Sequence, residues 1–396
     1  MPTSIVRSLF TPLSPEGTDA ARHVGHIAGV DILRGLAAVC VVCWHYQFFF
    51  QARPLLRGEY ISPINRHIEP LYSVLWPIYE NGAWAVQLFW MISGVVFTHV
   101  YAGRRVSARS FFMARFARLY PLHFITLIAV AAIQAASFHL VGGFQICSLN
   151  DAYHFVLNLL FASNWGLQEE MSFNVPVWSV SVEIPIYAAF FFIAPFIFAR
   201  GLLWPLVIAF GGWFVLHYVT FNSWFAMCAM YFFIGCGIWF LCQKLRGWMV
   251  IAISASSYAT LAALTILVPK TPWLDSQILL FCPTVMLCTY FGCWSPLGRL
   301  RWFGDATYSL YLWHFPIIIV VNTVLAYNQV QRNAFSSPVA LFAWVVLMIM
   351  VSRVSFRFIE RPLQTMILRW LVRSPVADRA EQSSAAASQA VPAGRR

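Results

Sequence analysis

Charge is what this sequence has least of. Its 26 Lys and Arg and 15 Asp and Glu make up 10% of 396 residues, where an ordinary soluble domain is about a quarter charged. That scarcity excludes a soluble globular protein of this length. No glycine-rich phosphate loop, GxSxG elbow or metal-ligand cluster is found, so P-loop, α/β-hydrolase and zinc chemistry lack their usual residues. Residues 1–26 have no apolar core of the kind that a cleavable signal peptide needs, and none is expected. Nine cysteines are present, mostly inside apolar runs. The Cys40–Cys43 pair has CxxC spacing but no second pair to complete a metal site. All nine are expected to pack rather than react, and no metal is expected.

What is present is apolar bulk. The chain is 60% hydrophobic, with 17 Trp, 15 Tyr and 35 Phe and a mean hydropathy of +0.68. Ten apolar runs are long enough to be membrane spans, at 27–50, 82–101, 119–141, 178–199, 202–221, 224–242, 248–268, 276–293, 306–326 and 337–358. An even number puts both termini on one side. That side then holds 20 of the 26 Lys and Arg and the opposite side five, which orients both termini into the cytoplasm. The net charge of +11 is therefore an orientation signal, and no nucleic-acid partner is expected. The fold expected is an all-α bundle of about ten transmembrane helices in the lipid bilayer. It comprises a cytoplasmic segment 1–26, a transmembrane domain 27–362 and a cytoplasmic tail 363–396, disordered from about Ala377. Two opposite-side segments, 51–81 and 142–177, are longer than turns and rich in aromatic and acidic residues. No internal repeat of the transporter kind is visible.

The first run carries two polar residues at membrane depth, Arg34 and His45. They are 11 residues apart, so on a helix they fall within about 20° of one face and roughly 16 Å apart along the axis. Asp31 lies within about 60° of the same face and is placed to partner Arg34. A charge inside a bilayer must face protein or water. Either a juxtamembrane ion pair sits beside a packed histidine, or the face is a cavity wall with a titratable base at one depth and a fixed cation at another. The second reading is favoured because both groups point the same way.

Further polar groups recur inside or beside the spans: Gln87 to Gly94, Arg115-Phe-Ala-Arg118, Trp178-Ser-Val-Ser-Val-Glu183, Tyr308-Ser-Leu-Tyr311-Leu-Trp-His314 and Glu360-Arg-Pro362. Together these resemble the acyltransferase-3 family of integral-membrane O-acyltransferases. The match lies in Arg34-x10-His45, Arg115-x-x-Arg118, the segment 178–183 with Val180 where leucine is more usual, and the segment 308–314. It covers about residues 29–362. The resemblance implies transfer of an acyl group, often acetyl, from acyl-CoA to a hydroxyl, commonly of a cell-surface glycan or glycolipid. It also leads to expecting a bacterial inner-membrane enzyme with no tightly bound cofactor and acyl-CoA as co-substrate. Some relatives carry a fused extracytoplasmic hydrolase-like domain, and no acyl relay through such a domain is expected here.

Residue chemistry supports a division of labour. Histidine titrates near working pH and suits the abstraction of a hydroxyl proton, so His45 is the candidate base. Arg34 and Asp31 share its face and are placed to set its charge. Glu183 has three readings: orienting His45, holding the acceptor, or pairing structurally with an arginine. Arg115 and Arg118, one turn apart at a span entrance, present two guanidinium forks suited to the phosphates of acyl-CoA. Arg104, Arg105 and Arg109 are read as topology signals. Trp178, Ser181, Tyr308, Tyr311 and His314 are candidate cavity residues, His314 being equally readable as a packed core histidine. Two rival functions stay open: a proton-coupled transporter or flippase using Arg34, His45 and Glu183 as a relay, and an acyltransferase acting on a small molecule or lipid.

Overall fold

A computed structural model describes residues 27–372 apart from 52, 61, 105, 221–222, 268–272 and 293–300. The N-terminal segment 1–26, Cys293 and the tail beyond residue 372 lie outside the described residues. Among the described residues the regular structure is helical, and one isolated antiparallel bridge joins Leu55 to Phe144. In hydrocarbon every backbone polar group must be satisfied within the chain, and a helix does this locally.

Eight helical stretches are long and apolar enough to cross a membrane: Ala28–Phe50, Tyr72–Tyr101, Ala108–Val141, Val177–Arg200, Trp224–Lys244, Gly247–Leu267, Thr307–Tyr327 and Pro338–Trp370. Two shorter apolar helices, Leu203–Val219 and Ser276–Phe291, stand where the fifth and eighth expected spans fall. The chain is a multi-pass membrane protein.

In chain order the helices are α1 (Ala28–Trp44), α2 (Tyr72–Asn81), α3 (Ala85–Tyr101), α4 (Ala108–Val141), α5 (Ala152–Leu159), α6 (Val177–Arg200) and α7 (Leu203–Phe214). They continue as α8 (Trp224–Lys244), α9 (Gly247–Leu267), α10 (Trp273–Phe291), α11 (Arg301–Asp305), α12 (Thr307–Tyr327), α13 (Pro338–Ser355) and α14 (Arg361–Val372). A 3₁₀ turn, His45–Phe50, continues α1, and a π turn, Phe356–Glu360, joins α13 to α14.

Two boundaries differ from the hydropathy reading. The basic stretch expected as a loop up to residue 118 is helical from Ala108, because the Ser107 side chain caps it by accepting from the Ser110 N–H. At 34 residues α4 is about 51 Å long, well beyond a ~30 Å hydrocarbon core, so its arginine-bearing first turns need not be apolar. The segment expected as tail from 363 starts as helix and stays helical to Val372.

The centre of the bundle is set by α3 and α8, which touch through glycines. A Cβ on Gly94 would meet the Phe232 carbonyl at 1.8 Å, and one on Gly235 would meet the Met91 carbonyl at 2.0 Å. Small residues that let backbones approach are how membrane helices gain packing energy without a hydrophobic driving force. At one end of the bundle the segments 51–71 and 142–176 form a joint cap. Leu55 and Phe144 exchange backbone bonds of 2.7 and 2.8 Å, Arg57 pairs with Asp151 at 2.8 Å, and Ile146 N–H donates to Gln51 at 3.1 Å. The second segment dips into the bundle, where the Asn174 amide donates to the Leu312 carbonyl at 3.1 Å.

Candidate active-site cavity

Opposite the cap, the bundle opens into a cavity of about 900 Å³. Its walls are Asp31 and Arg34 of α1, Phe89 to Phe97 of α3, Arg115, Arg118 and Leu119 of α4, and Ser179 to Tyr187 of α6. Tyr308 and Tyr311 of α12 complete the inner wall, and Trp302, Asp305, Arg353, Arg361 and Gln364 ring the mouth. Five arginines thus face three acids, Asp31, Glu183 and Asp305. A cation-rich pocket with low-dielectric walls concentrates anions.

Each cavity charge is placed by a local reason. Asp31 and Arg34 lie one turn apart on α1, 4.0 Å between nitrogen and oxygen. Glu183 is 8% exposed; Tyr187, one turn on, donates to it at 2.7 Å, and Ser93 of α3 donates at 3.3 Å. Arg118 is tied to Glu360, which the π turn delivers to the interior at 2% exposure. Ser309 also donates to Glu360, at 2.6 Å. The Arg118 guanidinium lies 5.8 Å from the Tyr308 ring centroid, and Tyr308 donates to the Leu119 carbonyl at 2.7 Å. Arg115 instead lies over the Phe97 ring at 4.8 Å, and its buried Nε has no hydrogen-bond partner. Of the two α4 arginines on the cavity wall, Arg115 is therefore the one with a buried, unpartnered donor.

Asp31, Arg34, Arg115, Arg118, Glu183, Tyr308 and Tyr311 come together around this cavity. His45 does not line it. α1 ends at Trp44, and His45 begins the 3₁₀ turn, with Nδ1 2.9 Å from the Val41 carbonyl. It lies beside His314, whose ring centroid is 4.7 Å away, and His314 is 6.0 Å from Tyr311. Tyr311 is thus the cavity residue next to the histidines; its hydroxyl is fixed by Ser179 and by the Pro176 carbonyl, each at 2.7 Å. Trp178, Ser181 and His314 also lie off the cavity surface. Trp178 packs between Trp90 and Trp224, and Ser181 accepts the Asn164 N–H at 3.1 Å.

Several wall residues have roles that only the structure shows. Tyr187 stands at i+4 from Glu183, a helical spacing that marks it as a partner. Arg353 and Arg361 had been counted only toward orientation, yet Arg353 lies over Trp302 at 5.4 Å and both arginines flank the mouth. Ser93 and Gln364 carry no sequence signal beyond being polar within or beside apolar helices. Among the described residues no group of three or more His, Cys, Asp or Glu is arranged to hold a metal.

Comparison with known proteins gives this cavity its context. The family described as "Acyltransferase domain" matches residues 27–356. Similar proteins include the peptidoglycan O-acetyltransferase OatA of Listeria monocytogenes, 23% identical over 86% of this chain and 56% of that protein. The O-acetyltransferase OatA of Staphylococcus aureus is 22% identical over 86% and 57%, and the putative peptidoglycan O-acetyltransferase YrhL of Bacillus subtilis is 22% identical over 87% and 56%. The chain therefore spans little more than half the length of these relatives. No solved structure matches. The matched residues take in every cavity helix from α1 to α13, and the chain belongs to the acyltransferase-3 family of membrane proteins.

Proposed function

We propose that this chain is a membrane O-acyltransferase that moves an acetyl group from acetyl-CoA to a hydroxyl of a cell-surface glycan. The names of its relatives make peptidoglycan the first acceptor to try. The observation that carries the reading is the cavity itself, with five arginines against three acids, a mouth at one end and a histidine pair behind its inner wall. With the two short helices counted as spans, the 20-to-5 distribution of Lys and Arg supports a mouth that faces the cytoplasm, and the bacterial sources of the relatives support residence in a bacterial inner membrane.

In this reading the phosphates of the donor are held by arginine forks, Arg115 foremost because its Nε is unpartnered. The pantetheine arm runs inward past Arg34 and Glu183 toward Tyr311. His45 takes the acceptor's hydroxyl proton as its oxygen attacks the thioester carbon, the carbon–sulfur bond breaks, and the thiolate recovers a proton. The acceptor reaches His45 from the capped end, where segments 51–71 and 142–176 meet.

The test is purified protein with acetyl-CoA labelled in the acetyl group and muropeptide as acceptor. Label on the muropeptide's hydroxyl is expected. Transfer to no glycan, with intact acetyl-CoA binding, would direct the search to small-molecule or lipid hydroxyls. Neither binding nor transfer would overturn the reading.

A further inference from the structure

His314 has no place in that scheme, yet its surroundings are unusual for a packing residue. It is fully buried. Its Nδ1 lies 3.2 Å from the Leu310 carbonyl, one turn back on α12. His45 repeats the arrangement on its own helix, Nδ1 to the Val41 carbonyl at 2.9 Å. A carbonyl only accepts, so each Nδ1 carries its hydrogen, and in a neutral imidazole the Nε2 is then a bare acceptor. The two rings lie 4.7 Å apart, tilted by 56°. The His314 Nε2 is buried with no hydrogen-bond partner. An orphaned buried acceptor costs stability. Trp44 at 4.7 Å, Phe48 at 5.6 Å and Phe315 at 6.1 Å flank His45, and Tyr311, 6.0 Å from His314, has its hydroxyl held by Ser179 and the Pro176 carbonyl. Arg66 is turned to Trp44, whose ring it covers at 5.7 Å and whose carbonyl it meets at 3.0 Å.

We propose that His314 is the positioning partner of His45, and that the two imidazoles share the proton His45 takes from the acceptor hydroxyl. The inference rests on the acyl-transfer reading above. As the acceptor oxygen bonds the acyl carbon, its proton passes to Nε2 of His45. The N–H so formed donates to the waiting Nε2 of His314, which satisfies the orphaned acceptor and delocalises the charge over two rings. When the carbon–sulfur bond has broken, the pair returns the proton to the thiolate, so the reaction ends with ester, free thiol and two neutral imidazoles. One histidine in an aromatic enclosure would bear that charge alone, which the low dielectric penalises.

The test compares His314→Phe, which keeps ring volume without an acceptor, and His314→Gln, whose Oε1 can stand near the lost Nε2. Turnover of labelled acetyl-CoA and thermal midpoint are measured for both, beside His45→Ala. A loss of about tenfold or more in kcat for the Phe variant, an unchanged KM for acetyl-CoA and recovery to within about threefold by Gln would bear the inference out. Phe and Gln variants that both keep wild-type kcat while His45→Ala is dead would overturn the pairing and leave the base assignment standing. Equal losses in both with a lowered midpoint would return His314 to a packing role. A second readout needs no turnover: in protein labelled with 15N-histidine and acidified until His45 takes up a proton, the Nε2 signal of that protonated His45 should move in the Phe variant and be restored by Gln. An unmoved signal would overturn the pairing whether or not acetyl transfer is observed.

Discussion

At the residue scale, the arginines in the cavity do unequal work because their partners differ. Arg118 is committed to buried Glu360, whereas Arg115 lies over the Phe97 face with its Nε unpartnered. Arg115→Ala should therefore raise the Kd for acetyl-CoA about tenfold or more and leave the thermal midpoint near wild type; titration of the variant with acetyl-CoA checks this. Lys at 115 should rescue only partly, since it lacks the fork. Arg118→Ala should instead cost stability, up to about 3 kcal/mol, because it strands a buried carboxylate. Adding Glu360→Gln should recover much of that loss, and a double variant no more stable than the single one would contradict the pairing. His45→Ala should reduce acetyl transfer by about 100-fold or more with normal membrane insertion; activity within about threefold of wild type would sink His45 as the base. The helical spacing of Arg34 and His45 predicts one shared cavity face, but only Arg34 lines the cavity. The spacing did not reveal that Tyr311 and Ser179, bonded to each other, form the cavity wall next to the histidines, because a wheel reports azimuth and carries no knowledge of what other helices insert at that depth.

At the scale of elements, the α3–α8 contact and the end cap make separate predictions. Gly94→Ala puts a methyl into the Phe232 carbonyl, and overpacking of this kind costs about 1–3 kcal/mol. A midpoint unchanged by that substitution would mean the two helices do not approach as described. In the cap, Glu69 is 3% exposed and bonded to Arg66 at 2.8 Å. Burial raises its carboxyl to about 7, against the pull of Arg66. A carboxyl raised in the folded state contributes stability that is full below its ordinary value near 4.5 and lost as pH rises through 7. Between pH 4.5 and 7.5 the midpoint of the wild type should therefore fall relative to that of Glu69→Gln, and a constant gap between the two would contradict the assignment. Hydropathy found every long apolar run but misplaced the polar helix starts. Ser107 and the turns after it read as a basic loop because arginines on helix that projects past the bilayer look the same as arginines in a loop. The same confusion hid α14, whose Arg361 and Gln364 belong to the cavity mouth.

At the scale of the whole molecule, the asymmetry of charge along the bundle gives the account its direction. The arginine-rich mouth lies at one end and the interlocked segments 51–71 and 142–176 at the other, with the histidine pair beyond the cavity's inner wall. In the proposed reaction, an acyl group entering at the mouth on a donor too charged to cross a bilayer would meet its acceptor inside the protein. The measurement that tests this most directly uses sealed vesicles with the protein in one orientation and labelled acetyl-CoA presented only to the mouth side. Muropeptide is placed either on the opposite side or on the same side. Labelled ester is expected on muropeptide held on the opposite side, lost in His45→Ala, while CoA itself stays where it was added. Label that appears only when both substrates share the mouth side would contradict transfer across the bundle.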